Sequence, residues 1–247
     1  ASLDADGDLQ VTTALETDLD IVIPDGETLY SNQDFDFDSI TIGDPDADGS
    51  FGTLAQQGGT LNVGDGVVVN GDSALIQTDT GVLNTPTITI GGNGVASLEN
   101  QNTEGTITID GAADGEGELI FTGAWDTDAA IGGTNSLAKV TVTDTGALTL
   151  DQDLDATTIL VEGTVTQTAG TLTAGSNTLI VAAGASFTQS DDGVLNSPTV
   201  VIGDLGTVTL VNQNTAGTVA FDGAYAGEGL LVFGGDWDLD AAIGATA

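Results

Sequence analysis

The chain of 247 residues carries 38 Asp and Glu against a single Lys or Arg, with no His and no Cys, for a formal charge of −37. A nucleic-acid binder needs cations to displace counterions from phosphates, and an anionic lipid surface attracts the same residues, so both partners are excluded. Without Cys there is no disulfide, thiolate metal site or Cys nucleophile.

Residues 1–20 form an Asp-rich lead-in, in which Asp6 and Asp8 weakly echo the D-x-D pairs that follow two tryptophans further on. The chain does not begin with Met, and Ala1-Ser2-Leu3 reads as the start of a secreted mature chain or of an excised fragment. No run of about 18 apolar residues occurs, so no membrane insertion is expected.

From residue 21 the sequence is a tandem duplication, sought first because a repeat decides the architecture. Gly81 to Gly132 returns as Gly193 to Gly244, with about 32 of 52 positions identical at an offset of about 112. Upstream, NQDFDFDSITI (32–42) corresponds to DQDLDATTILV (151–161), and GTLAQQGGTLNVG (52–64) to GTVTQTAGTLTAG (163–175). The predicted organisation is repeat 1 over 21–132, a short continuation over 133–139, and repeat 2 over 140–247. Repeat 1 alone holds an acidic insertion, DPDADGSF at 44–51, expected as a loop on one side of a stack.

Within each copy, apolar residues alternate with Thr, Ser, Asn or Asp, as in Thr87–Ile90 and Thr207–Leu210. Period 2 marks strands with one buried face. Gly and Asn or Asp punctuate them, comparable strands return about every 20 residues, and no helical period is found. Aromatics make up only 4% of the chain, so the core is built from small aliphatic side chains, which suits thin stacked layers. The expected fold is all-β, a parallel β-solenoid of roughly 20 residues per coil. Tandem β-sandwiches are the rival, weakened by the shortness of 133–139 and the low aromatic content.

Carboxylates are the only candidate ligands, and a hard cation, Ca2+, is the species they suit. DPDADG places Asp44, Asp46 and Asp48 at alternate positions before Gly49, as in the first half of an EF-hand loop, but Ala55 stands where the closing Glu belongs. Asp34, Asp36 and Asp38, with Asp151, Asp153 and Asp155 in the second copy, share one side of an extended segment. On that reading Phe35, Phe37, Gln152 and Leu154 point the other way, and a cation bridges neighbouring coils. The pairs Asp126 and Asp128, and Asp238 and Asp240, follow Trp125 and Trp237. Each candidate also reads as a solvated acidic turn, and the acidity suits a high-salt habitat equally well. The segments at 101–103 and 213–215, Gln-Asn-Thr in both copies, are expected to satisfy turns and form ladders. The tryptophans are expected to cover a core edge or to offer a sugar platform. The Thr-x-Thr triplets are not expected to form an ice-binding array, because they do not fall at one constant coil position. With one cation in the chain and no distinguished carboxylate pair, no enzyme is expected.

GGTLNVGDGVVVNGDSALIQ (58–77) and DIVIPDGETLYSN (20–32) resemble coils of large secreted bacterial β-helix proteins, the autotransporter passengers and filamentous-haemagglutinin-like adhesins. The resemblance is one of rhythm across most of the chain. It implies a right-handed parallel β-helix and an extracellular or cell-surface location. No cap is evident in either copy, so the expectation is a structural protein that assembles head-to-tail with itself into a filament, sheath or surface layer, stabilised by cations. The alternative is a repeat module of a large adhesin that binds a surface partner or glycan.

Overall fold

The alternation seen in the sequence becomes alternating burial, strand after strand. In Thr87–Ile90 both isoleucines are buried and both threonines half-buried, and Thr164–Gln167, Thr171–Ala174 and Thr207–Leu210 repeat the pattern. The structure, a computed structural model, describes residues 2–3, 9–11, 19–44, 51–78, 80–99, 106–175, 178–190, 192–211, 220–223, 229–234 and 243. All regular elements among them are strands. The fold is an all-β parallel solenoid of about 21 residues per turn.

Each turn contributes a strand to three faces in succession. Asp20–Ile23, Thr28–Ser31 and the first half of Phe35–Ile42 begin the first, second and third faces. Phe35–Ile42 rounds a corner: Asp38 and Ser39 both turn outward, the register shifts between Phe37 and Ser39, and the second half lies beside Asp20–Ile23. Leu154–Val161 does the same in the second copy, with Thr157 and Thr158 at the corner. Inward residues stack in columns along the axis. Leu54, Leu75 and Ala96 follow Leu29 on the second face, and Ile42, Val69 and Ile90 follow Ile23 on the first. Most of these side chains have no exposed surface, and burying each Leu, Ile or Val contributes about 1.5–3 kcal/mol. β-Branched and aliphatic residues fill these columns, one side chain per level at the strand spacing of about 4.8 Å.

Coils differ in length where the sequence differs. Partners on the second face are 25 residues apart from Thr28 to Thr53, where the insertion lies, and 21 apart from Thr53 to Ala74. The insertion falls between strands of the first and second faces, and at its start Asp44 N–H donates to Asp25 Oδ1 at 3.2 Å. The lead-in is partly a coil of its own: Leu9–Val11 lies in parallel register on Thr28–Ser31, and Ser2–Leu3 folds back antiparallel on it. Asp6 and Asp8 lie outside the described residues.

The two copies are not stacked face on face. Ile21, Ile40, Val67, Ile88, Ile109 and Ile131 are successive levels of the first face. Val140, the repeat counterpart of Ile21, then falls on the second face beside Leu119. At the same seam Leu148, counterpart of Leu29, joins the third face beside Trp125, and Leu154, counterpart of Phe35, joins the first face beside Ile131. One repeat therefore fills five turns and one face, and corresponding surfaces of the two copies point in directions a third of a turn apart. The seam itself is ordinary solenoid, with Glu116–Phe121 and Leu137–Val142 paired along their length.

Candidate functional site

The acidic residues sit on corners and outward positions, where they bind one coil to the next. Asp34 Oδ1 accepts from Thr60 N–H at 2.8 Å, and its counterpart Asp153 accepts from Thr171 N–H at 2.7 Å. Asp110 and Asp114 accept from the amides of Thr134 and Ser136 at 3.0 and 3.1 Å. Asp36 Oδ1 accepts from Asn62 Nδ2 at 2.5 Å, and Asn62 Oδ1 in turn accepts from Asn84 Nδ2 at 2.8 Å, a polar ladder across three levels. In the second copy the ladder reads Asp155, Thr173 and Asn196 in register. A carboxylate that accepts a backbone N–H from the neighbouring coil satisfies a turn donor with a charge-assisted bond, which explains Asp at these corners without a cation.

The predicted ligand sets divide accordingly. Asp34, Asp36 and Asp38 all lie outward or half-outward while Phe35 and Phe37 are buried and stacked at 5.8 Å, as the alternation requires. The second copy departs from that expectation. Asp151 and Gln152 lie in the turn before Leu154–Val161, so Gln152 is exposed instead of pointing inward with Leu154. Asp151 Oδ1 accepts from Thr127 Oγ1 at 3.2 Å. Asp44, Asp126 and Asp128 are exposed. Asp46, Asp48, Asp238 and Asp240 lie outside the described residues, as do the segments 101–103 and 213–215. Among the described residues no three carboxylates gather in a group that could hold a metal. Burial, and after it the Asp114 carboxylate, raises the Asp155 carboxyl above its ordinary 3.8.

Two further sequence readings meet the structure. Trp125 is only 6% exposed and packs against Phe121 at 5.4 Å, so it covers the core edge and offers no platform to a sugar. The Thr triplets do not share one coil position, as expected: Thr87 and Thr89, with Thr171 and Thr173, lie on the first face, and Thr164 and Thr166, with Thr207 and Thr209, on the third, where columns do form. Thr164, Ser186 and Thr207 form one outward column, and Thr149, Thr166, Thr188 and Thr209 the next, on the third face. The irregularity in the sequence came from comparing triplets of different faces, which the chain visits in turn.

Two features were not read from the sequence. Strands ending in Gln, TLAQ, ALIQ, TVTQ and SFTQ, bury that residue completely or nearly so. Gln56 lies in register with Gln77, and Gln167 with Gln189. Their amides donate to carbonyls of the following turn: Gln56 to Gly59 and Val82 at 3.2 and 2.6 Å, Gln77 to Gly81 at 3.0 Å, Gln167 to Gly170 and Val194 at 2.9 and 3.0 Å, and Gln189 to Gly193 at 2.9 Å. The signal was the strand-final Gln before a Gly three or four residues on. The second feature is at the seam, where Lys139 pairs with Glu118 at 2.8 Å. Both partners are about a third exposed, so the pair contributes about 0–1 kcal/mol; its place matters more than its strength.

The chain matches no protein-family model, no curated protein and no solved structure.

Proposed function

We propose that this chain is a structural protein of the cell exterior, a rod segment that assembles head-to-tail with its own kind into a filament, sheath or surface layer. The observation that supports this reading is the seam. The last strands of repeat 1 already serve as the template for the first strands of repeat 2, in unbroken parallel register, and repeat 2 carries a close copy of those same template strands. A unit that accepts its own copy at one end and offers the accepted surface at the other propagates without closure.

The acidity fits such a rod. Charge of one sign keeps assembled or parallel rods from sticking side to side, and a supply of salt or divalent cations sets how closely ends approach. Calcium is part of the proposal as a structural ion held by the 44–48 loop. The resemblance in rhythm to large bacterial surface β-helix proteins supports an extracellular location, and a module of a long adhesin would use the same stacking in cis. Electron microscopy of the purified protein in millimolar Ca2+ and in molar NaCl tests the reading. Unbranched filaments of solenoid width are expected, and monodisperse particles at high concentration in both solvents would overturn it.

A further inference from the structure

The described sheets end on Asp20–Ile23 at one end of the first face and on Leu230–Phe233 at the other end of the third. The edge of a terminal strand is a template for pairing. Outward side chains on these two strands are apolar except for Asp20: Val22 is 66% exposed, Leu230 54% and Val232 37%, and Asp20 is exposed beside Val22. At the seam, Thr141 stands where Val22 stands at the end; it has a strand on each side, donates its hydroxyl to Glu118 Oε1 at 3.3 Å and is only 6% exposed.

The repeat supplies the occupant. Leu230–Phe233 is the counterpart of residues 118–121, and Asp20–Ile23 is the counterpart of residues 139–142. Those two segments are partners in the chain itself: Glu118 with Lys139, Leu119 with Val140, Ile120 with Thr141 and Phe121 with Val142. We infer that Leu230–Phe233 of one molecule pairs in parallel with Asp20–Ile23 of a second copy, with Leu230 opposite Asp20, Leu231 opposite Ile21 and Val232 opposite Val22. The inference rests on the head-to-tail reading and gives it a register.

The substitutions between copies agree with this junction. The seam places Glu118 against the only Lys or Arg of the chain. In the pairing of Leu230–Phe233 with Asp20–Ile23 the Lys position is Asp20, and a Glu opposite it would set two carboxylates side by side on adjacent strands, which destabilises a pair. The sequence has Leu230 there instead, so the like-charge contact does not arise. Ile120 against Thr141 becomes Val232 against Val22, an apolar pair in which each side chain covers the exposed surface of the other.

One slot differs from the seam. Leu9–Val11 occupies the edge of Thr28–Ser31 that Ala124–Asp126 occupies on Ala147–Leu150. The N-terminal arm thus stands in for a preceding coil on the second face, while no described strand precedes Asp20–Ile23 on the first. It acts as a brake on the incoming end, to be displaced by the segment that follows Leu230–Phe233.

The absence of Cys makes the register directly measurable. Adjacent strands place Cα atoms about 4.8 Å apart, within the range of about 4.4–6.8 Å that a disulfide spans. Val22→Cys and Val232→Cys are made singly, mixed under the assembly conditions, oxidised mildly and digested for mass spectrometry. The expected product is a covalent dimer in which the disulfide between positions 22 and 232 exceeds either like-with-like linkage at least tenfold. A Val22→Cys and Ile76→Cys mixture, with Ile76 39% exposed on Ala74–Gln77 and strands paired on both sides of it, is expected to give no such excess. Melting of the reduced variants close to that of the parent shows that both fold. Val232→Asp, which sets a carboxylate against Val22, is expected to reduce assembly at least tenfold without moving that melting. Filaments lacking the disulfide between positions 22 and 232, or linkages of all three kinds in equal yield, would overturn the register and leave head-to-tail assembly standing. No assembly of the parent in any salt would overturn both.

Discussion

Asp155 shows how an outward position on a solenoid face handles a charge it does not need. Its carboxyl is raised first by burial and then by Asp114, so the ionised form is less favourable in the folded chain than in the unfolded one. The sign follows: above the raised folded value the group costs stability, and the cost is relieved as pH falls through that value towards 3.8 and below, where both states are protonated. Asp155→Asn should therefore raise the melting temperature at neutral pH, with the gain shrinking on acidification; a gain independent of pH would mean that packing, not charge, is responsible. Gln77 presents the opposite case, a buried polar group the fold depends on. Its column continues into Leu98, so a side chain of Leu shape fits, but the Gly81 carbonyl loses its donor. Gln77→Leu should cost about 1–3 kcal/mol and Gln77→Ala about 2–5 kcal/mol, since it adds a cavity. Urea unfolding of the two variants compares them directly, and equal costs would show that the hydrogen bond carries the whole effect.

Among the elements, the strands follow directly from alternation, whereas the turns are set by contacts between coils. Gly59 and Gly170 hold φ of +69° and +67° at equivalent corners, and a Cβ at either would collide with the carbonyl of Gln33 or Gln152 in the preceding coil. The sequence marked both as turn glycines; only the stack shows that a neighbouring backbone, in addition to φ, forbids a side chain there. The N-terminal arm is the element whose role was least legible. Leu9–Val11 has no strong pattern of its own and becomes a strand because the edge of Thr28–Ser31 offers it partners. Gln10→Pro and Val11→Pro together remove two successive amide donors, one of which serves the ladder whichever phase the pairing takes. This double variant should assemble with a shorter lag in light scattering. An unchanged or longer lag would show that the arm does not compete with an incoming end.

Across the whole molecule, a charge of −37 on a stack of strands sets the terms of stability. Raising NaCl from 0.01 M to 1 M shortens the screening length from about 30 Å to about 3 Å, so the melting temperature should climb steeply with salt. Millimolar Ca2+ should add a further rise beyond that of NaCl at equal ionic strength, reversed by chelator, if the 44–48 loop holds the ion. Identical curves would reject structural calcium and leave screening as the sole effect. The phase shift between copies has its own signature. Two repeats of about five and a third turns, at about 4.8 Å per turn, give a rise near 50 Å per molecule in a head-to-tail filament, with successive molecules rotated by two faces. Helical reconstruction reads both quantities, and an unrotated stack would contradict the seam-like junction.

The order of residues along the chain was enough to establish the class of fold, the duplication, the coil length near 20 and the inward side of almost every strand, because period 2 and repeated spacing are local properties. It marked Phe35 and Phe37 as buried but misplaced Gln152, since a turn interrupts the alternation there. It singled out carboxylates without their partners: whether Asp34 waits for a cation or accepts from Thr60 depends on which residue the next coil sets beside it. That choice belongs to the folded stack. So do the column of Thr164, Ser186 and Thr207, the pairing of Lys139 with Glu118, and the third of a turn between the copies. These depend on how many strands fill each turn, a sum over the whole chain that no single stretch contains.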